Sequence, residues 1–159
     1  MTEVCVRAGV AGDLAEVIAL ERTTAEAPHW AEAEYVAVIA GSGGYVRRCL
    51  FVAEAKGVVI GFAVGKVAGD LGELESVAVD LQARRGGVGR TLCGAVIDWC
   101  VEAGATAVEL EVRAASGGAI GLYRGLGFIA VGQRPGYYSG PIDDAVLMRL
   151  DLLVLGSGA

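Results

Sequence analysis

At 159 residues, with a net charge of −6 and a hydrophobic share of 54%, the chain is about one domain long and can bury a substantial core. The acidic balance argues against a general nucleic-acid binder, which neutralises phosphates with Lys and Arg. No run of about 18 uncharged apolar residues supplies a membrane span.

Thr2-Glu3-Val4 lacks the basic and apolar blocks of a secretion signal, so the expected location is the cytoplasm. Cys5, Cys49, Cys93 and Cys100 form no Cys-x-x-Cys pair, and His29 is remote from all of them in sequence, so no metal site is expected. Cys93 and Cys100 lie on one predicted helix at a spacing that shares a face, which reads as two small buried thiols.

In chain order, Glu3 to Arg7 alternates and predicts a short strand. Asp13 can cap a helix that carries Leu14, Val17, Ile18 and Leu20 at helical spacing. Pro28-His29-Trp30 interrupts it, a second helix fits Ala31 to Ala40, and Gly41-Ser42-Gly43-Gly44 is a breaker. Leu50 to Ala55 and Val58 to Val67 form a hairpin through Lys56-Gly57. After the turn Asp70-Leu71-Gly72, Glu73 to Val79 is the next strand.

An amphipathic helix follows from Val88 to Ala103, with Gly104 as its stop. Ala107 to Arg113 is a strand and Ser116 to Leu126 a helix. Phe128 to Arg134 and Ala145 to Leu153 are the last strands, joined by a Pro/Gly/Tyr loop. Residues 1–155 are expected to form one domain and 156–159 a frayed tail. The order β-α-α-β-β-β-α-β-α-β-β needs antiparallel hairpins and one parallel crossover. That is a mixed sheet with helices on both faces, α/β or by some conventions α+β.

The segment from Val77 to Arg90 carries the strongest chemical signal. An apolar strand runs into Arg84-Arg85-Gly86-Gly87-Val88-Gly89-Arg90 at the mouth of a helix. Glycines let backbone N–H groups approach a ligand, the helix start favours an anion, and the arginines add forked donors for phosphate oxygens. Counted from Gly87, the third position of a dinucleotide fingerprint falls on Leu92, and no Gly-Lys-Ser/Thr triplet exists. On its own, the Gly86-Gly87 pair also suits a tight turn before a helix.

What remains, Arg84-x-x-Gly87-x-Gly89, resembles the acetyl-CoA pyrophosphate loop of the GNAT N-acetyltransferase superfamily. Leu110-Glu111-Val112-Arg113, Ala119-Ile120-x-Leu122-Tyr123 and Gly127-Phe128 look like the second half of that fold. With Tyr137-Tyr138, Asp143-Asp144-Ala145-Val146-x-Met148 and Trp30, the set resembles the ribosomal-protein alanine N-acetyltransferases and related protein N-terminal acetyltransferases. The resemblance implies the GNAT fold: a mostly antiparallel sheet with a central, splayed parallel pair of strands.

It also implies acetyl transfer from acetyl-CoA to a primary amine, most specifically a protein N-terminal α-amine, with a ribosomal protein among the possible targets. The amine, with a pKa of roughly 7.7–8.0, must lose a proton, and the departing thiolate must gain one. By the resemblance Glu111 is the base, through a water, and Tyr123 the acid. Spacing alone leaves Glu109, Glu111 and Arg113 as a solvated stripe and Tyr123 as a packing aromatic. Glu75, on the same strand face as Glu73, is a rival base. Relatives carry an apolar or neutral polar residue there, so Glu75 departs from the pattern.

For the cofactor, the resemblance assigns the backbone of Val77, Ala78 and Val79 to the pantetheine arm. It assigns Arg84, Arg85, Gly86, Gly87, Val88, Gly89 and Arg90 to the pyrophosphate. Ser116 stands where relatives have an Asn that contacts the same arm, with shorter reach and fewer donors. Trp30, Tyr35, Glu75, Tyr137 and Tyr138 are the substrate-side candidates. An acetyltransferase for small amines and a non-catalytic acyl-CoA-binding module are the alternatives.

Overall fold

The computed structural model describes residues 3–24, 30–40 and 44–152; His29, the Gly41-Ser42-Gly43 breaker and the 156–159 tail lie outside them. One seven-stranded sheet takes every strand, in the order β1-β2-β3-β4-β5-β7-β6. The strands are β1 (Cys5–Ala8), β2 (Val46–Ala55), β3 (Val58–Ala68), β4 (Leu71–Val79), β5 (Ala107–Arg113), β6 (Ile129–Tyr138) and β7 (Asp143–Asp151). The helices are α1 (Leu14–Thr23), α2 (Glu32–Ala40), α3 (Val88–Glu102) and α4 (Gly117–Gly125). The element order is the one expected, and β4–β5 is the single parallel pair of the sheet.

Two apolar layers sandwich the sheet. On one face, Leu92, Cys93, Val96, Ile97 and Cys100 of α3 pack against Ala63, Val67, Leu74 and the alternate residues Val108, Leu110 and Val112 of β5. On the other, Val17 of α1 and Tyr35 and Val38 of α2 pack against Leu50, Val52, Phe62, Val64 and Ala78. Cys93 and Cys100 are fully buried in the first layer, as their spacing predicts. Among the described residues, no helix is long and apolar enough to cross a membrane.

Two features of β4 shape the site. Its parallel pairing with β5 covers only Leu71–Ala107, Gly72–Val108 and Glu73–Glu109. Its antiparallel register with β3 slips between Leu74, opposite Gly65, and Ser76, opposite Val64, so Glu75 is an extra, bulged residue. The bulge reverses the facing of the strand. Leu74 belongs to the α3 layer, yet Ala78, an even number of residues on, belongs to the α1/α2 layer, and Val77 and Val79 turn toward α3.

One expected loop is a strand. Pro135-Gly136-Tyr137-Tyr138 continues β6 across a register shift between Arg134 and Tyr138, rather than forming the connection to β7. The proline is tolerated because β6 is the edge strand, where one side of the backbone needs no partner.

Helix α3 approaches the sheet most closely over Gly65, where a Cβ would sit 2.6 Å from Val96 Cγ1 and 3.0 Å from Cys49 Sγ. We expect Gly65→Ala to destabilise the fold by about 1–3 kcal/mol through overpacking. Denaturant unfolding measures this, and a variant as stable as the parent would refute so close a helix–sheet contact.

Candidate active site

Beyond the point where β4 and β5 part, a cleft of about 610 Å³ opens between the end of β4, the loop before α3 and the start of α4. Its walls are Val77, Ala78 and Val79 of β4, the loop and first turn of α3, and the start of α4. The loop begins at Asp80, whose carboxylate accepts from the Gln82 amide at 2.9 Å and starts a short 3-10 turn. Gly87 then takes a left-handed conformation, φ +83°, as the N-cap of α3, and glycine alone holds that conformation without strain. The first helical hydrogen bond runs from Thr91 N to Gly87 O, so the amides of Val88, Gly89 and Arg90 lie in the unpaired first turn and suit an anion.

Of the loop residues expected at the cofactor, Arg84, Arg85, Gly87, Val88, Gly89 and Arg90 line the cleft and Gly86 does not. Arg84 donates its Nε to Val79 O at 3.1 Å, which ties the loop to the strand end and leaves its terminal nitrogens. Thr24, Gly117, Gly118 and Leu122 also line the cleft. No charge or spacing in the sequence marks them; only the convergence of the α1 and α4 ends does.

A smaller cavity of about 100 Å³ adjoins the cleft, and Val77, Ser116, Ala119 and Tyr123 line both. Glu75, Glu111, Arg113 and Tyr138 complete its polar wall. Tyr123 therefore stands at the junction. Its ring packs edge-on against Phe128 at 6.0 Å, and burial pushes its hydroxyl well above the ordinary tyrosine range. Ser116 is the N-cap residue of α4, but its side chain makes no capping hydrogen bond.

Glu111 lies opposite Leu147 of β7, on the strand face away from the α3 layer. Arg134 Nη2 stands 3.5 Å from its carboxylate. The carboxylate's negative charge beside Tyr137 raises that phenol's pKa. Tyr138 meets Tyr137 edge-on at 5.0 Å. The pair is held by a residue that sequence reasoning did not single out. Arg113 donates to Ser139 O at 3.1 Å and Pro141 O at 3.0 Å, and its guanidinium lies 4.5 Å from the Tyr138 ring centre.

The remaining substrate-side candidates are not equivalent. Tyr35 does not face a groove, contrary to expectation: it is fully buried, and its hydroxyl donates to Glu21 at 2.5 Å. The Glu21 carboxylate also accepts from the Trp30 amide at 2.7 Å, while Arg22, paired with Glu21, donates to Trp30 O at 2.7 Å. Trp30 is thus clamped at both backbone groups, with its ring over Arg48 at 5.2 Å. Glu75 is bound by Arg48 through two nitrogens, Nε at 3.0 Å and Nη2 at 3.3 Å.

The two cysteines of α3 are buried and offer no nucleophile. Burial pushes the Cys93 thiol up to about 12 and the Cys100 thiol up to about 11, so neither forms the reactive thiolate near neutral pH.

Comparison with known proteins agrees with this geometry. The chain is 37% identical over 98 residues to the [ribosomal protein bS18]-alanine N-acetyltransferase of Escherichia coli, a match covering 60% of this chain and 66% of that enzyme. An uncharacterized protein of Mycobacterium leprae is 47% identical over 77 residues, 48% of this chain and 21% of its own length. The matches thus span under two thirds of either relative. The crystal structure of the Escherichia coli ribosomal-protein-S18-alanine N-acetyltransferase superposes with a TM-score of 0.77 at 29% identity, covering 94% of each chain. The model of the acetyltransferase (GNAT) family matches residues 14–128, more than two thirds of the sequence, and the chain belongs to that family.

Proposed function

We propose that the protein transfers the acetyl group of acetyl-CoA to the N-terminal α-amine of a protein, in the manner of the ribosomal-protein alanine N-acetyltransferases. One observation carries the reading: a long cleft ending in an anion-binding helix start meets a small carboxylate-bearing cavity at Tyr123. The cleft fits acetyl-CoA. The amides of the first turn of α3 and the arginines suit its pyrophosphate, and the β4 backbone freed from β5 suits an extended pantetheine arm. When bound, acetyl-CoA supplies an activated acyl group with a thiolate leaving group.

The chain's own residues supply the proton transfers. Glu111 accepts the ammonium proton through a water in the cavity, which makes the amine a nucleophile. Tyr123, kept protonated by burial, donates toward the departing sulfur. Its pKa lies above the roughly 8.5 of a thiol, so it acts chiefly as a hydrogen-bond donor to the developing thiolate. The buried, protonated cysteines favour direct attack over an acyl-enzyme. Tyr137 and Tyr138 flank the cavity mouth and suit the first residues of a peptide. Three partly or fully buried free thiols accord with the reducing cytoplasm as its location.

The test is acetyl-CoA turnover with peptides differing in the first residue and, in parallel, with small amines, read as released thiol. Turnover with peptides is expected. Turnover with small amines alone would make it a small-molecule acetyltransferase, and acetyl-CoA binding without turnover would make it a binding module.

Glu111→Gln and Tyr123→Phe should each lower kcat by about 100-fold or more while leaving acetyl-CoA affinity unchanged. Because burial raises the Tyr123 pKa, its proton is retained past the ordinary value of about 10. The rate should therefore show no alkaline loss below about pH 9 in the parent enzyme, and an inflection there would place the acid elsewhere.

A further inference from the structure

Glu75 lines the same small cavity as Glu111 and has an ion-pair partner, Arg48, across the sheet. All three guanidinium nitrogens of Arg48, on β2, are used. Nε and Nη2 bind the two oxygens of Glu75, and Nη1 reaches Glu34 on α2 at 3.1 Å. The Trp30 ring lies over the same guanidinium at 5.2 Å. The Arg48 and Glu75 side chains are only 17% and 13% exposed, so the pair is held far more firmly than a surface ion pair.

We infer that Arg48 is a positioning residue that decides which glutamate serves as base: its fork withholds Glu75 from proton transfer and leaves that role to Glu111. The inference rests on the acetyl-transfer reading above. Both carboxylates line one cavity of about 100 Å³, so proximity alone does not choose between them. The choice is made by occupancy. Each Glu75 oxygen already accepts a charge-assisted bond, and taking a proton would leave a largely buried guanidinium short of its counter-charge.

Glu111, by contrast, faces one cation, the half-exposed Arg134, through a single nitrogen at 3.5 Å. The groups around Glu75 are Arg48 and Cys49 from β2, Lys66 from β3, Glu73 from its own strand, Glu34 from α2, and Glu111, Arg113, Tyr123 and Tyr138 across the cavity. Burial raises the Glu75 pKa and Arg48 pulls it back. Burial outweighs that pull even with Arg48 present, and with Arg48 removed the raising influences of burial and Glu73 face only the weaker pull of Lys66, which moves Glu75 further up and makes it a stronger base.

Loss of Arg48 should thus unmask a second base. The experiment compares peptide acetylation by the parent, Glu111→Gln, and Glu111→Gln combined with Arg48→Met, between about pH 6 and 9. Acetyl-CoA binding serves as the check on folding. The combined variant should recover at least about tenfold of the roughly 100-fold loss in Glu111→Gln, with a rate that climbs as Glu75 ionises. Adding Glu75→Gln should abolish the recovery, an effect that a purely structural role for Arg48 would not produce.

Arg48→Lys in place of Arg48→Met keeps a charge without the fork and guards against a folding defect. Recovery in either combination supports the inference. Absence of recovery in both, with the parent active on peptides, overturns it. An inactive parent would instead overturn the acetyl-transfer reading.

Discussion

The site depends on two strands that start as neighbours and stop being so. β4 and β5 pair over three residues and then separate, although each keeps its other neighbour: β4 stays bonded to β3 as far as Val79, and β5 to β7 as far as Arg113. The separation leaves backbone groups of a central strand without a ladder, normally a costly state inside a sheet. It is tolerable where a ligand completes the pairing, and the larger cleft, lined by Val77, Ala78 and Val79, lies just beyond that point. The bulge at Glu75 bends and twists β4 within two residues of the last parallel pair, so a single inserted residue both helps the strands part and re-aims their side chains.

That re-aiming explains how a polar stripe becomes a site. Glu109, Glu111 and Arg113 alternate with the buried Val108, Leu110 and Val112, which on spacing alone reads as a solvated strand face. The structure gives each a different task. Glu109 pairs with Arg149 at 2.8 Å on the exposed part of the sheet. Arg113 spends two donors on carbonyls of the β6–β7 turn and stacks on Tyr138. Glu111, between them, lies beside the cavity. Surface ion pairs of the first kind contribute little to stability; the second kind fixes geometry, and it places both tyrosines next to Glu111.

Much of this was legible in the chain. The element order, the β5 span Ala107 to Arg113 and the α3 start at Val88 follow from periodicity and glycine punctuation, signals carried by residues close together in sequence. The glycine loop at the mouth of α3 was legible for the same reason: Gly87 marks the left-handed turn that starts the helix. Tyr35 was misjudged because an aromatic with a polar tip suits a groove and a core equally well. What decided it was Glu21, a buried carboxylate fourteen residues earlier that takes the hydroxyl. The β6 extension was missed because Pro135 and Gly136 signal a turn, and only the edge position of the strand removes the penalty.

The two halves of the site therefore differ in what encodes them. The larger cleft is written in short-range backbone signals, and Gly86 off its wall alters it only at the margin. The small cavity is written in pairs far apart in sequence, Arg48 with Glu75 and Arg113 with Ser139 and Pro141. A carboxylate such as Glu75 reads as a rival base for as long as its partner is unknown. Once Arg48 is seen to hold both of its oxygens, the same carboxylate is already committed to a partner. Identity at a site position thus fixes the chemistry a residue is capable of, while the partner across the sheet fixes which part of that chemistry it is free to perform.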